Sequence, residues 1–326
     1  MTRLLDAKPF IICELGSNWR TRGDIMNSVN LVKAMGADAL KLQAFTSEAL
    51  YGGPATWQPL PHCLPLDWLP AIKEKCDKAG LEFMCSAFSP ELVDAVDPFV
   101  EVHKVASSDL SYPHLLDAIK KTGKPVILST GASSFADVCQ ALNHLDRTKT
   151  VLLYCNSAYP STHHNLFQID SMRERFKLPV GLSDHSLDVV YAPLAAVRTH
   201  GAVVIEKHFT PIPEVDTPDR PHSLDATDFK IMCDHLRGKA DTSLFNPTRE
   251  EKAMMLRHNR RLVAVKTILP GEQLVFGKNY GAFRALEDDP HGLSPFLWND
   301  EAVGPELRRA VKTIAQGKGI GPGDYQ

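Results

Sequence analysis

Two short stretches, GLSDHS at 181–186 and IEKHF at 205–209, each end an apolar run on a histidine with a carboxylate close by. His185 directly follows Asp184, and His208 lies two residues after Glu206. Imidazole nitrogens beside carboxylates suit a divalent transition metal such as manganese, iron, cobalt or zinc. The alternative is a pair of hydrogen-bonded structural histidines. A second set is cationic and rich in hydroxyls: Lys41 and Lys104 with Ser129 and Ser183, types that bind a phosphate or a carboxylate. The same lysines would serve in internal salt bridges, with Glu14 as one partner. A Schiff-base lysine is a third use, and it requires a dry pocket beside another cation. His163 and His164 fall in a polar loop. His62, His144, His200 and His222 lack a paired arrangement and read as surface or structural residues.

Eight short apolar runs recur along the chain and supply elements to position these groups: FIICEL (10–15), DALKLQ (38–43), LEFMCS (81–86), EVHKVA (101–106), PVILST (125–130), TVLLYC (150–155), PVGLS (179–183) and AVVIEKH (202–208). Between them lie stretches with helical spacing of apolar residues, several ending in glycine, as in KAGL and KTGK. Strands alternating with helices predict a parallel sheet with right-handed crossovers. Eight such units in roughly 250 residues predict an α/β fold of the closed (β/α)8 TIM-barrel type. A doubly wound open sheet is the alternative, but no GxGxxG follows the first strand.

In such a barrel the active site lies at the carboxyl ends of the strands. Those ends carry Glu14, Lys41 with Gln43, Ser86, Lys104, Ser129-Thr130, Ser183-Asp184-His185, and Glu206 with His208, while Tyr159 lies just beyond the sixth strand. A strand period of two places Lys41 with Gln43, and Glu206 with His208, on the face pointing into the barrel mouth. Converging buried charges are costly unless a ligand, metal or partner compensates them. His185 and His208 would then end neighbouring strands and sit side by side. The connection 46–65, rich in proline and glycine, reads as a lid or substrate loop.

Past residue 240 the pattern changes. The barrel is expected over 1–240, a linker over 241–257, and a small β-rich domain over 258–326, where RRLVAVKTILPGEQLVFGKNY reads as strands broken by a Pro-Gly turn. So small a core is marginal alone and is expected to lean on another surface. Across the 326 residues, a net charge of −3 gives no polyanion-binding surface, so no nucleic-acid partner is expected. Seven scattered cysteines without a CxxC pair, no signal peptide and no membrane-length apolar run lead to the expectation of a cytoplasmic protein without a membrane partner.

The chain resembles the sialic acid synthase family, which includes N-acetylneuraminate, legionaminic and pseudaminic acid synthases. The carriers are CELGSN (13–18), GADALKLQAF (36–45), KVASSDL (104–110), KTGKPVILSTGA (121–132), LLYCNSAYPST (152–162), LPVGLSDHS (178–186), VIEKHFT (204–210) and TPDRPHSL (217–224). RRLVAVKTILPGEQL and FRALEDDPHGLSP resemble the family's C-terminal antifreeze-like (SAF) module. The resemblance implies condensation of phosphoenolpyruvate with an open-chain N-acetylated aldose, N-acetylmannosamine or a related amino sugar, giving a nine-carbon 2-keto acid and phosphate.

It further implies a divalent metal on His185 and His208, manganese first, with magnesium or cobalt as alternatives. Lys41, Lys104, Ser129 and Ser183 would bind phosphoenolpyruvate. Gln43, Asp109 and Tyr159 would face the sugar, and Glu206, Glu14 and Asp219 would be catalytic. Arg284 would reach the sugar from the partner subunit of a domain-swapped homodimer. The chain departs from the family pattern at Trp19, where a histidine is usual, at Asp109, where many members carry glutamate, at Ser157, at Ser86-Ala87-Phe88, and at Ala285 after Arg284. These departures bear on the sugar side. The alternatives are an octulosonate- or heptulosonate-type synthase and a catalytically silent carbohydrate-binding protein.

Overall fold

The computed structural model describes residues 9–52, 62–239, 254, 258–284, 291–295 and 308–326. The chain divides into two units, 1–240 and 241–326. The expected linker 241–257 lies almost wholly outside the described residues, as do 53–61 of the expected lid; of the lid, Ser47–Tyr51 forms a short helix.

The first unit is a closed barrel of eight parallel strands in sequential order: β1 (Phe10–Glu14), β2 (Ala39–Ala44), β3 (Glu82–Ala87), β4 (His103–Val105), β5 (Val126–Ser129), β6 (Thr150–Cys155), β7 (Val180–Asp184) and β8 (Val204–His208). Each corresponds to one of the eight apolar runs. Closure comes from β8 pairing with β1, with Glu14 opposite His208. Helices on the outside start and stop where local chemistry directs. Thr21 and Asp24 form a capping box at the start of the helix Arg22–Met35, and Gly36 ends it at φ 90°.

The strands are buried on both faces, and their two side-chain sets differ. One set packs against the helices in a large apolar core, including Ile11, Cys13, Leu40, Leu42, Phe83 and Leu182. The other fills the barrel. Phe10, Ile12, Ala39, Met84, Val102, Ile127, Val151, Leu153 and Val204 form an apolar plug. Two residues further along the same faces stand Glu14, Lys41, Ser86, Lys104, Ser129, Cys155 and Glu206. The alternation therefore turns an apolar floor into a polar ceiling within one step of the pleat. Gly181 contributes no side chain to this interior, because a Cβ there would lie 2.4 Å from the Val204 carbonyl oxygen.

In the second unit, β9 (Arg260–Ala264) pairs antiparallel with β10 (Tyr280–Arg284). Isolated bridges such as Ile268–Ile314 and Ala310–Tyr325 extend the pairing. Leu262, Ala264, Ile268, Leu274, Tyr280, Ala310, Ile314 and Ile320 make a separate small core. Arg284 ends β10 on an exposed position, and Ala285 lies outside the described residues.

Candidate active site

The mouth of the barrel encloses a cavity of about 60 Å³. Glu14, Lys41, Gln43, Ser86, Lys104 and Ser129 line one side, and Tyr159, Ser183, His185, Glu206 and His208 the other. A larger surface groove of about 610 Å³, lined by Phe135, Gln168 and Arg175 among others, does not gather buried charges in this way.

The two lysines are paired with glutamates inside the protein. Lys41 Nζ lies 2.9 Å from Glu14 and 3.5 Å from Glu206, and Lys104 Nζ lies 3.4 Å from Glu206. Lys104 also donates to Ser129 Oγ at 2.8 Å, Lys41 to Ser86 Oγ at 3.3 Å, and Ser183 to Glu206 at 3.0 Å. The internal salt bridges considered from the sequence are thus present, with Glu14 as one partner. The two carboxylates are not equivalent. Burial raises Glu14 to about 7, helped by the charge of Glu206 and only partly opposed by Lys41. Burial would raise Glu206 too, but Lys104 and Lys41 together hold it down at about 2. One acid keeps its proton near neutrality while its neighbour is ionised, the usual separation between a proton donor and an anionic group. Burial lowers the pKa of Lys104, in part offset by Glu206.

His185 and His208 do stand side by side, with ring centroids 5.6 Å apart. His185 Nδ1 lies 2.9 Å from the Asn156 carbonyl oxygen, so it carries the proton and leaves Nε2 as a lone-pair donor. Tyr159 stacks on His185 at 4.1 Å between centroids. Burial pushes both histidines below the usual imidazole range, His208 furthest. Neutral, buried imidazoles beside a carboxylate are a donor set suited to manganese, cobalt or zinc.

Two readings from the sequence need correction. Asp184 does not face the histidines. It points to the helix side, where Lys207 Nζ donates to its Oδ2 at 2.5 Å, and both side chains are fully buried. Odd and even positions of a strand face opposite ways, so a carboxylate adjacent in sequence to His185 points away from the face that carries the imidazole. His222 is also not an isolated structural residue: His208, Asp219 and His222 each bring one potential ligand atom within 4.8 Å of the others. The sequence separation hid this, because His222 lies in a short 3-10 turn, Arg220–His222, beyond the last strand. Its only sequence trace is the spacing of three from Asp219. By contrast, His144 pairs with Asp117, His200 with Asp170, and His62 with the Trp19 carbonyl, all structural contacts as read.

The other expected residues are placed as follows. Gln43 donates to Glu14 at 2.7 Å. Asp109 ends a 3-10 turn after β4 and is half-buried, outside the residues lining the cavity. Cys155 and Ser107 line the cavity without having been singled out; Cys155 Sγ lies 3.6 Å from His185 Nδ1. Among the described residues, no helix is long and apolar enough to cross a membrane.

Comparison with known proteins agrees with this architecture. The family model described as "NeuB family" matches residues 28–243. A pseudaminic acid synthase of Campylobacter jejuni is 31% identical over 98% of both chains. An N,N'-diacetyllegionaminic acid synthase of the same species is 31% identical over 81% of this chain and 87% of its own. Among solved structures, the N-acetylneuraminic acid synthetase of Leptospira borgpetersenii, in complex with citrate, superposes with a TM-score of 0.67 at 27% identity, over 76% of this chain and 90% of that one. A match at family level across most of the barrel, with a relative aligned end to end, leaves one conclusion: this chain is a synthase-type enzyme of the NeuB family.

Proposed function

We propose that the barrel mouth condenses phosphoenolpyruvate with an open-chain N-acetylated aldose, giving a nonulosonic 2-keto acid and inorganic phosphate. The observation that carries this reading is the buried pair of lysines held between Glu14 and Glu206, with a serine hydroxyl on each lysine and two buried imidazoles beside them. Lys41 and Lys104, with Ser129 and Ser183, would hold the phosphate and carboxylate of phosphoenolpyruvate. Both lysines already sit at hydrogen-bond distance from a serine hydroxyl, so their positions are preorganised.

C3 of phosphoenolpyruvate then attacks the aldehyde carbon, and a carbon–carbon bond forms. The aldehyde oxygen takes a proton, which Glu14 is placed to supply because it retains its proton near neutrality. Water adds at the cationic C2, oriented by the ionised Glu206. The C2–oxygen bond to phosphate breaks as the C2 carbonyl forms; one of the water's two protons leaves with the phosphate and the other restores Glu14, so atoms and charge balance. Gln43, Asp109 and Tyr159 would meet the sugar, and Asp219 would be catalytic beside them. A divalent metal on His185 and His208, manganese first, would supply Lewis-acid polarisation of the aldehyde.

The second unit is proposed to be an SAF-type module that brings Arg284 to a neighbouring subunit's barrel in a homodimer. Mixing Arg284→Ala with a Glu206→Gln barrel variant should restore part of the activity, and no recovery would refute the exchange. The primary test is phosphate release from phosphoenolpyruvate with Mn2+, with and without N-acetylmannosamine or a 2,4-diacetamido-trideoxyhexose, plus a chelator control. Sugar-dependent, chelator-sensitive release supports the reading and names the acceptor. No release with any aldose, in protein shown to bind metal, overturns it.

A further inference from the structure

The segment after β8 turns back so that its own residues face the end of that strand. Leu224 N donates to the His208 carbonyl at 3.0 Å, and Thr210 N to the Leu224 carbonyl at 2.9 Å. Asn18, beyond β1, ties the return: its side chain donates to the Phe209 carbonyl and to Ser223 Oγ, and accepts from Thr217 Oγ1. Asp219 is fixed by Ser17 N, which donates to its Oδ2 at 2.8 Å. That contact depends on Gly16, at φ 52°, since a Cβ there would lie 2.2 Å from the same oxygen. His222 is therefore held against His208 by the fold, with ring centroids 4.5 Å apart.

The polar atoms of this cluster face one another without bonding. His208 Nδ1 stands 3.8 Å from Asp219 Oδ2, and His222 Nε2 stands 3.7 Å from Asp219 Oδ1. These distances exceed a hydrogen bond. Both nitrogens are buried and without a hydrogen-bond partner, on side chains that are each 8% exposed. Leaving two such atoms unsatisfied in one small volume is costly. Ligands about 2.0–2.2 Å from one ion lie about 3–4 Å from each other, so a cation between them satisfies all three groups.

We propose that His222 and Asp219 join His208 in holding the divalent cation, so that this chain surrounds the ion with more than a pair of histidines. The proposal rests on the metal reading of His185 and His208 and extends it to the loop after the barrel. Two imidazoles and a carboxylate form a set that accepts manganese, iron, cobalt or zinc.

The test reads metal binding, not turnover. The full chain, stripped with chelator, is titrated with Mn2+ by electron paramagnetic resonance and with Co2+ by visible absorption, for wild type, His222→Ala, His222→Cys and His185→Ala. His222→Ala is expected to weaken Mn2+ binding about tenfold or more and to alter the cobalt bands. His222→Cys is expected to keep cobalt and add a thiolate charge-transfer band in the near ultraviolet. Wild-type affinity and spectrum in folded His222→Ala, with binding lost in His185→Ala, overturns the proposal and leaves the two-histidine metal reading standing. Wild type that binds neither ion overturns both. Should His222→Ala fail to fold, cobalt-loaded His222→Cys without the charge-transfer band overturns the proposal.

Discussion

Replacing Lys207 by methionine should be among the most damaging single changes in the barrel, although Lys207 touches no ligand. Methionine keeps most of the volume but removes the donor to Asp184 Oδ2 at 2.5 Å, to the Asp188 carbonyl at 2.9 Å and to Ser186 Oγ at 3.3 Å. Asp184 then keeps only the Ser186 backbone N–H, at 2.9 Å, in a site with no solvent access. Breaking a buried pair in this way costs about 3–5 kcal/mol. An independent bound agrees: the stranded carboxylate can escape by taking a proton, and protonating a carboxyl of ordinary acidity at pH 7 costs about 4 kcal/mol. Escape by protonation fixes the sign of the pH dependence. The folded variant would bind one proton more than the unfolded chain, so the deficit shrinks as pH falls, by about 1.4 kcal/mol per unit, to about 1.5 kcal/mol at pH 5. Urea denaturation at pH 7 and pH 5, followed by circular dichroism, measures both numbers. Asp184→Leu/Lys207→Met should recover most of the loss, since an apolar pair of similar volume replaces the ions. A loss below about 1 kcal/mol at pH 7, or a double variant as unstable as the sum of the two singles, would refute the reasoning.

Gly16→Ala places a methyl group against Asp219 Oδ2 and strains a left-handed residue, so it should cost about 1–3 kcal/mol and weaken Mn2+ binding; a thermal melt and a metal titration check it. Glu14→Gln tests the raised acid. The folded chain holds a proton on Glu14 from the ordinary value of 4.5 up to about 7, where the unfolded chain has released it. Wild-type stability therefore carries a component that falls as pH rises through that window, and the variant's Tm-against-pH curve should lack it. Lys104→Met removes a charge-assisted donor from the phosphoenolpyruvate side and should raise that KM about 10- to 100-fold, with a smaller change for the sugar, measured by steady-state phosphate release.

The barrel was legible because each of its strands is a short apolar run with a polar end, as in FIICEL or AVVIEKH, and each gap is long enough for one helix. The inward orientation of Lys41, Gln43, Glu206 and His208 followed from pleat parity alone. The same parity rule should have excluded Asp184, which alternates with Ser183 and His185. His222 escaped because periodicity says nothing about where a loop returns; only the hydrogen bonds from Asn18 and Leu224 bring it to His208. Ion pairing of the lysines was foreseen as a possibility. The unequal protonation of Glu14 and Glu206 was not, because it depends on ångström-scale distances to Lys104 that spacing cannot supply.

Closure of the sheet by β1 and β8 also sets a timetable for a chain made from its amino end. Lys41 and Lys104 leave the ribosome long before Glu206, the carboxylate that both of them share. Collapse of the first six strands would bury the Lys104 ammonium without its counter-charge, at a cost of several kcal/mol. The polar ceiling thus resists premature closure and rewards the arrival of the last strand, so the interior is sealed only when the chain that can act is complete. A nascent chain stalled before residue 200 should accordingly stay protease-sensitive at β4, whereas one stalled well after residue 224 should not.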